Sequence, residues 1–311
     1  MLNPSEKPFK FVIYKMINRR SFIQQAVVMA AGTVILPQLS CAGSAPEKRI
    51  GLQLYTLRDE IPKDVVKVME RVAASGYQEV EVFGYSPSTH FWGFSPGAFA
   101  EILDSNNLKA ISGHYDFDEY LGPESKLQRF DAYINAASVL KHRYLTIPYI
   151  NEKFRTSADD YKKLAEKFNQ AGEKCQKSGL QLAYHNHAFE FQQFGETTGY
   201  DILLAETDPK LVKFELDLYW VVRAGRDPLE LFKKNKGRFE LWHVKDMDRR
   251  DPALNTEVGS GSIDFKKIFA EAGLSGLKNV IIEQENFSID PFESISRSAA
   301  FTKTNLLPNM R

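Results

Sequence analysis

Several things are scarce in this 311-residue chain. It holds two cysteines, too few for a disulfide framework. Its 40 Lys and Arg balance its 40 Asp and Glu to a formal charge of +0, so no electrostatic footprint for nucleic acid is present. The apolar run Ala26–Leu36 is about half the ~20 residues that a bilayer span needs. No glycine-rich dinucleotide turn follows the first strand-like segment, which removes the usual signature of a doubly wound nucleotide-binding sheet. Histidine is rare, with six in the chain, so where they fall carries weight.

The N-terminus has its own pattern. Asn18-Arg19-Arg20-Ser21-Phe22-Ile23 puts a basic pair before the apolar run, the layout of a twin-arginine export signal. Pro37–Ser44 then sets small residues around Cys41, similar to a lipoprotein cleavage box in which Cys41 becomes the lipidated, membrane-anchoring end. Plain cleavage is the alternative, because Gln38 stands where an aliphatic residue is usual. The expectation is an export signal over 1–45, one domain over 46–311, and a periplasmic or membrane-anchored product. Cys175 then remains as a buried, inert thiol in a helical segment.

About 265 residues follow the signal, close to the ~250 of a (β/α)8 barrel. Strand-like segments at Arg49–Leu57, Gln78–Phe83, Lys109–Tyr115, Tyr144–Pro148, Gly179–His187, Val212–Trp220, Phe239–Lys245 and Asn279–Asn286 alternate with helical ones. Eight regular repeats of strand and helix predict an α/β fold, the closed (β/α)8 TIM barrel, as a single domain.

In a barrel, alternate residues of each strand face the helices and the interior. Parity sends Leu, Val, Ile and Phe outward and a polar set inward: Gln53, Tyr55, Glu81, His114, His185, His187, Glu215, Asp217, His243, Lys245, Glu283 and Glu285. Such groups collect at strand C-termini, where this fold carries its active sites. Carboxylates and imidazoles on adjacent strands suit one divalent ion, Mn²⁺, Mg²⁺, Co²⁺ or Zn²⁺. Trp220 offers a ring on which a sugar can stack. Lys245 either pairs with Asp246 or puts positive charge on the substrate. Gly259-Ser260-Gly261 reads as a turn before a helix more readily than as a phosphate cradle.

Gly51-Leu52-Gln53-Leu54-Tyr55, Tyr184-His185-Asn186-His187, Leu216–Trp220, His243-Val244-Lys245-Asp246 and Ile282-Glu283-Gln284-Glu285 resemble the xylose-isomerase-like TIM-barrel family, sugar phosphate isomerases/epimerases related to AP endonuclease family 2. The resemblance spans about Ile50 to Phe301. It implies one divalent ion held by groups from strands five to eight, here His185, Asp217, His243 and Glu283. Strand five departs from the family, with His185 where a glutamate is expected; Glu190 is the alternative donor.

The expected function is a metal-dependent sugar isomerase or epimerase that abstracts a proton next to a carbonyl. A lyase or dehydratase acting on a keto-sugar or 3-keto-glycoside is the alternative, and a non-catalytic sugar-binding barrel is the reading from another class. His187, Glu283 and Lys245 are the catalytic candidates. Gln53, Tyr55, Glu81, His114, Trp220 and Glu285 are the substrate-binding candidates. The expected partner is a small carbohydrate, with no nucleic acid.

Overall fold

The computed structural model describes residues 48–311. The segment expected to be an export signal, with Cys41, lies outside the described residues. Eight parallel strands form the barrel: β1 Ile50–Gln53, β2 Glu79–Val82, β3 Lys109–Gly113, β4 Tyr144–Ile147, β5 Gln181–His185, β6 Val212–Asp217, β7 Leu241–Val244 and β8 Asn279–Ile282. The spatial order is β3-β2-β1-β8-β7-β6-β5-β4. The β3–β4 seam is closed by a parallel bridge between His114 and Thr146, with Tyr115 N donating to Thr146 O at 3.1 Å and Arg143 N to Ile111 O at 2.9 Å. The closed barrel expected from sequence is what forms.

Helices lie outside, built as their sequences dictate. Asp64 caps Val65–Ala74 by accepting from Lys67 N at 3.0 Å, and Val65, Val68, Met69 and Val72 give that helix a buried stripe at helical spacing. Ala158–Lys177 buries Tyr161, Leu164, Ala165, Phe168, Ala171, Gly172 and Cys175 against the strands. A Cβ at Gly172 would stand 2.7 Å from Leu211 O, so that contact admits only glycine. Outward strand residues such as Leu52, Val80, Leu182, Phe214, Leu216 and Ile282 join these helices in one continuous apolar core. Cys175 is buried and burial pushes its thiol up to about 12, consistent with an inert role.

Inside the barrel, Tyr144, Ala183, Leu241 and Ile281 form a separate small apolar plug. The polar groups stand above this plug, toward the strand C-termini. One irregularity matters for them. Val80 pairs with Ala110 but Glu81 pairs with Ser112, so β3 carries an extra residue at Ile111. That bulge turns Ser112 inward, where its hydroxyl meets Thr146 Oγ1 at 2.8 Å, and with it His114.

Two elements differ from expectation. The segment Val212–Trp220 is strand only to Asp217; Leu218–Arg223 is a helix capped by the Asp217 side chain. The helix expected after the Gly259–Gly261 turn is two short ones, Phe265–Phe269 and Ala272–Ser275, the second stopped by Gly276 at φ 85°.

Candidate active site

The interior polar groups lie in two layers. In the deeper one, Gln53 Nε2 donates to Glu81 Oε1 at 2.6 Å. The same oxygen meets His243 Nε2 at 2.7 Å and His114 Nε2 at 3.0 Å. Glu215 Oε2 stands 2.7 Å from His114 Nε2, 3.3 Å from His243 Nε2 and 3.2 Å from His185 Nδ1. Gln53, Glu81, Glu215 and His243 are fully buried.

Burial opposes charge throughout this layer, and the partners decide which groups ionise. For His114, burial lowers the pKa, but the carboxylates of Glu81 and Glu215 outweigh it and hold it at about 9. His243 is likewise raised despite burial, by Glu215 and Glu283. Burial pushes against ionisation of Glu81, yet His114 and His243 hold it well below the usual carboxylate range. Glu215 is pushed up to about 7 by burial and by the charge of Glu81.

In the upper layer, His243 turns its other nitrogen, Nδ1, to Glu283 Oε2 at 3.1 Å. Asp217 Oδ1 accepts from Trp220 N at 2.9 Å, while its buried Oδ2 has no partner. His185 Nε2 is 4.0 Å from that orphaned oxygen. Burial pushes Asp217 up to about 7 although Lys245 and His243 favour its charge. Ligand-capable atoms of Asp217, His243 and Glu283 lie within 4.8 Å of one another, and those of His114, His185, Glu215 and His243 form a second such set. A buried carboxylate oxygen without a donor, beside an imidazole nitrogen and a second carboxylate, fits a divalent cation. Asp217, His243 and Glu283 are the residues that would hold it, with His185 reaching them across Asp217.

Above these layers opens a cavity of about 510 Å³. His114, His185, His187, Glu283 and Glu285 line its lower part; Tyr55, Phe83, Tyr85, Tyr149 and Trp220 contribute aromatic walls. The His187 ring stacks on Phe189 with centroids 5.5 Å apart, and its buried Nδ1 has no hydrogen-bond partner. Burial, reinforced by the Lys245 charge, lowers His187 to about 3 and keeps it neutral.

Several expectations need correction. Gln53 and Glu81 do not line the cavity; they sit beneath it, bonded to each other. Lys245 does not pair with Asp246. It is buried against Glu283 at 3.4 Å and against Glu285, and it is not among the cavity's lining residues. Those carboxylates outweigh its burial and raise its pKa. Glu190 is in neither metal-capable set: its carboxylate accepts the hydroxyl of Tyr184, which faces the helix layer, and the backbone N–H of His187 at 3.0 Å. Glu215, inward by parity, was not singled out for a role, yet it joins three histidines. Phe83, Tyr85 and Tyr149 lie past strand ends, where two-residue alternation gives no signal.

The Gly259–Gly261 turn is filled from within. Asp246 Oδ2 accepts from Gly259 N at 2.9 Å and Gly261 N at 3.0 Å, and Oδ1 from Met247 N at 2.9 Å and Ile263 N at 3.2 Å. A Cβ on Gly261 would lie 2.3 Å from Asp246 Oδ1, so the loop wraps this carboxylate too closely for any side chain there.

Comparison with known proteins agrees with the architecture. The chain is 26% identical over 297 residues to an inosose dehydratase of Lactiplantibacillus plantarum, covering 81% of this chain and 93% of that one. It is 28% identical over 180 residues to an inosose dehydratase of Clostridium perfringens, covering 51% of this chain and 60% of that one. A solved sugar phosphate isomerase/epimerase of Parabacteroides distasonis superposes with a TM-score of 0.74 at 28% identity, covering 87% of this chain and 98% of that one. Residues 69–305 match the family model described as xylose isomerase-like TIM barrel, and the chain belongs to that family.

Proposed function

We propose that this protein is a divalent-metal-dependent carbohydrate enzyme that removes a proton next to a sugar carbonyl and then expels the oxygen substituent one carbon further on. The observation that carries this reading is the pair of imidazoles on one cavity. His187 has a buried Nδ1 with no hydrogen-bond partner, and His114 is held by Glu81 and Glu215 through Nε2 alone. Two imidazoles on one cavity can divide the roles of general base and general acid. The inosose dehydratases among the relatives point the same way.

Neutral His187 takes the proton, and the C–H electron pair becomes an enolate. The pair then forms a carbon–carbon double bond as the β carbon–oxygen bond breaks. His114, whose Nε2 is engaged by Glu81 and Glu215, gives the departing oxygen a proton from its remaining nitrogen. Solvent exchange returns both imidazoles to their starting states. A divalent ion held by Asp217, His243 and Glu283 would supply Lewis acidity to the carbonyl. Glu285, at the cavity's edge, orients hydroxyl groups, and the Lys245 charge near Glu283 holds that carboxylate ionised despite burial.

Isomerisation or epimerisation is the second reading, favoured by the name of the Parabacteroides distasonis structure. It uses His187 to return the proton instead of losing the substituent. One experiment separates the readings. Manganese-supplied protein is incubated in D2O with an inosose and with a 3-keto-glucoside and followed by NMR. Elimination yields an unsaturated ketone; isomerisation or epimerisation yields a saturated sugar carrying solvent deuterium; neither change leaves a sugar-binding barrel. His187→Gln is expected to keep its metal and lower turnover by roughly 10²–10⁴-fold. Near-normal turnover in that variant removes His187 from the chemistry.

A further inference from the structure

The mouth of the cavity is chemically unlike its floor. Among the described residues, Tyr55 and Tyr149 are the exposed large aromatics, at 41% and 44%, and both line this one cavity. They stand on two aromatic walls. Tyr55 meets Phe83 edge to face at 5.2 Å. Tyr149 meets His187 at 5.5 Å and Phe189 at 5.3 Å, and Trp220 packs 5.4 Å from His187 on the same side. A single sugar ring reaching the imidazoles and carboxylates of the floor leaves these outer faces uncovered. Each tyrosine has one guanidinium near its ring, Arg58 at 4.8 Å and Arg155 at 5.8 Å, yet both stay exposed at the mouth of the cavity, where a bound ring would cover the area they leave in water.

Charge narrows the choice of ligand. Among the described residues, the cavity lining includes no lysine or arginine, but does include Asp116, Asp118, Glu283 and Glu285. The guanidiniums nearby are committed to the protein. Arg58 donates to the carbonyl oxygens of Tyr55 and Glu285 and lies 4.8 Å over the Tyr55 ring, and Arg155 donates to Ile150 O and the Tyr149 hydroxyl and lies 3.7 Å over the Phe189 ring. This fold frequently binds phosphate with the loops after strands seven and eight. Here the amides of the loop after β7 already enclose a carboxylate, that of Asp246.

We propose that the aromatic mouth is a second ring subsite, so that the substrate is an uncharged two-ring carbohydrate: one ring at the imidazole floor and a glycosidically attached ring between Tyr55 and Tyr149. This rests on the reading above that a sugar ring occupies the floor, and it goes further by excluding phosphorylated sugars.

Unreactive probes test it without relying on turnover. Glucose, phenyl β-glucoside and glucose 6-phosphate are titrated calorimetrically into the manganese-supplied protein. One stacked ring is expected to make phenyl glucoside about five- to tenfold tighter than glucose. Glucose 6-phosphate should bind no tighter than glucose. Tyr55→Ala and Tyr149→Ala, both at exposed positions that the core does not need, should narrow the gap between phenyl glucoside and glucose. Equal affinities for those two sugars, a gap that survives in both variants, or tighter binding of the phosphate overturns the proposal. The outcome is independent of the D2O experiment: a protein that eliminates but ignores the phenyl ring refutes the subsite alone, and one that stacks the ring but moves no proton refutes the chemistry alone.

Discussion

Two buried aspartates, one at the end of β6 and one just past β7, are treated in opposite ways. Asp246 has both oxygens filled by four backbone N–H groups of its own loop. Asp217 has one oxygen filled by Trp220 N and one with no partner, although it is fully buried. Leaving a buried acceptor unmade costs about 1–3 kcal/mol, and more for a charged one. The chain meets that cost at the cavity floor and avoids it at the end of the next strand. The contrast separates a carboxylate that builds a loop from one with an oxygen left open.

Replacing each acid by its isosteric amide should split the two sharply. The largest effect is expected for Asp217→Asn. The amide still caps the helix at Leu218 but offers the ion no charge, and loss of a Lewis acid worth several kcal/mol implies a turnover loss of roughly 10³-fold or more. Metal content measured on the purified variant should fall with it. Stability should not. Burial raises the Asp217 carboxyl to about 7, so in metal-free protein the folded state holds a proton that the unfolded chain has released, and stability falls as pH rises from the ordinary carboxylate range through 7. Asparagine removes that penalty, so at pH 8 the metal-free variant should melt at or above the parent. Full metal occupancy in Asp217→Asn would sink the assignment.

Asp246→Asn should do the reverse. Its new NH2 group would face two N–H donors, either those of Gly259 and Gly261 or those of Met247 and Ile263. Two unmade buried bonds predict a loss of about 2–4 kcal/mol in denaturant unfolding, with metal content retained in the folded fraction. Unchanged stability would show that the loop does not depend on this carboxylate.

The smallest effect belongs to Glu190→Gln. This glutamate resembles Asp246 in having its oxygens occupied, by Tyr184 and by His187 N. Burial raises it to about 7, so it too withdraws stability as pH climbs toward 7. The glutamine variant should keep its metal and lose less stability than the parent between pH 5 and pH 8. A variant that loses its metal would make Glu190 the strand-five donor after all.

Much of this was legible in the residues. Eight segments with apolar residues at alternate positions gave the barrel, and the same alternation gave the inward face. What alternation cannot give is depth along the barrel axis. Glu81 and Glu283 share the inward face, yet Glu81 lies under the cavity and Glu283 on its wall. Glu215 precedes Asp217 by one inward step and falls in the deeper layer for the same reason. Leu218–Trp220 reads as strand because every side chain in it is apolar or aromatic; the signal missed was Asp217 itself, a capping residue at the start of that run. His114 falls on the inward face as expected, but the bulge at Ile111 that sets its register against β2 leaves no mark in a two-residue period.

The cap on the Leu218–Arg223 helix ties two otherwise separate things together. One carboxylate group offers Oδ2 to the floor and holds through Oδ1 the backbone of Trp220, a wall of the mouth. An ion that pulls on the first oxygen therefore acts on the seat of the indole, and a ring pressed against the indole acts on the carboxylate. Thermodynamic linkage makes such an effect reciprocal: whatever factor the ion contributes to affinity for the ring, the ring returns to affinity for the ion. An ion at the floor and a ring above it would thereby be coupled through a single side chain.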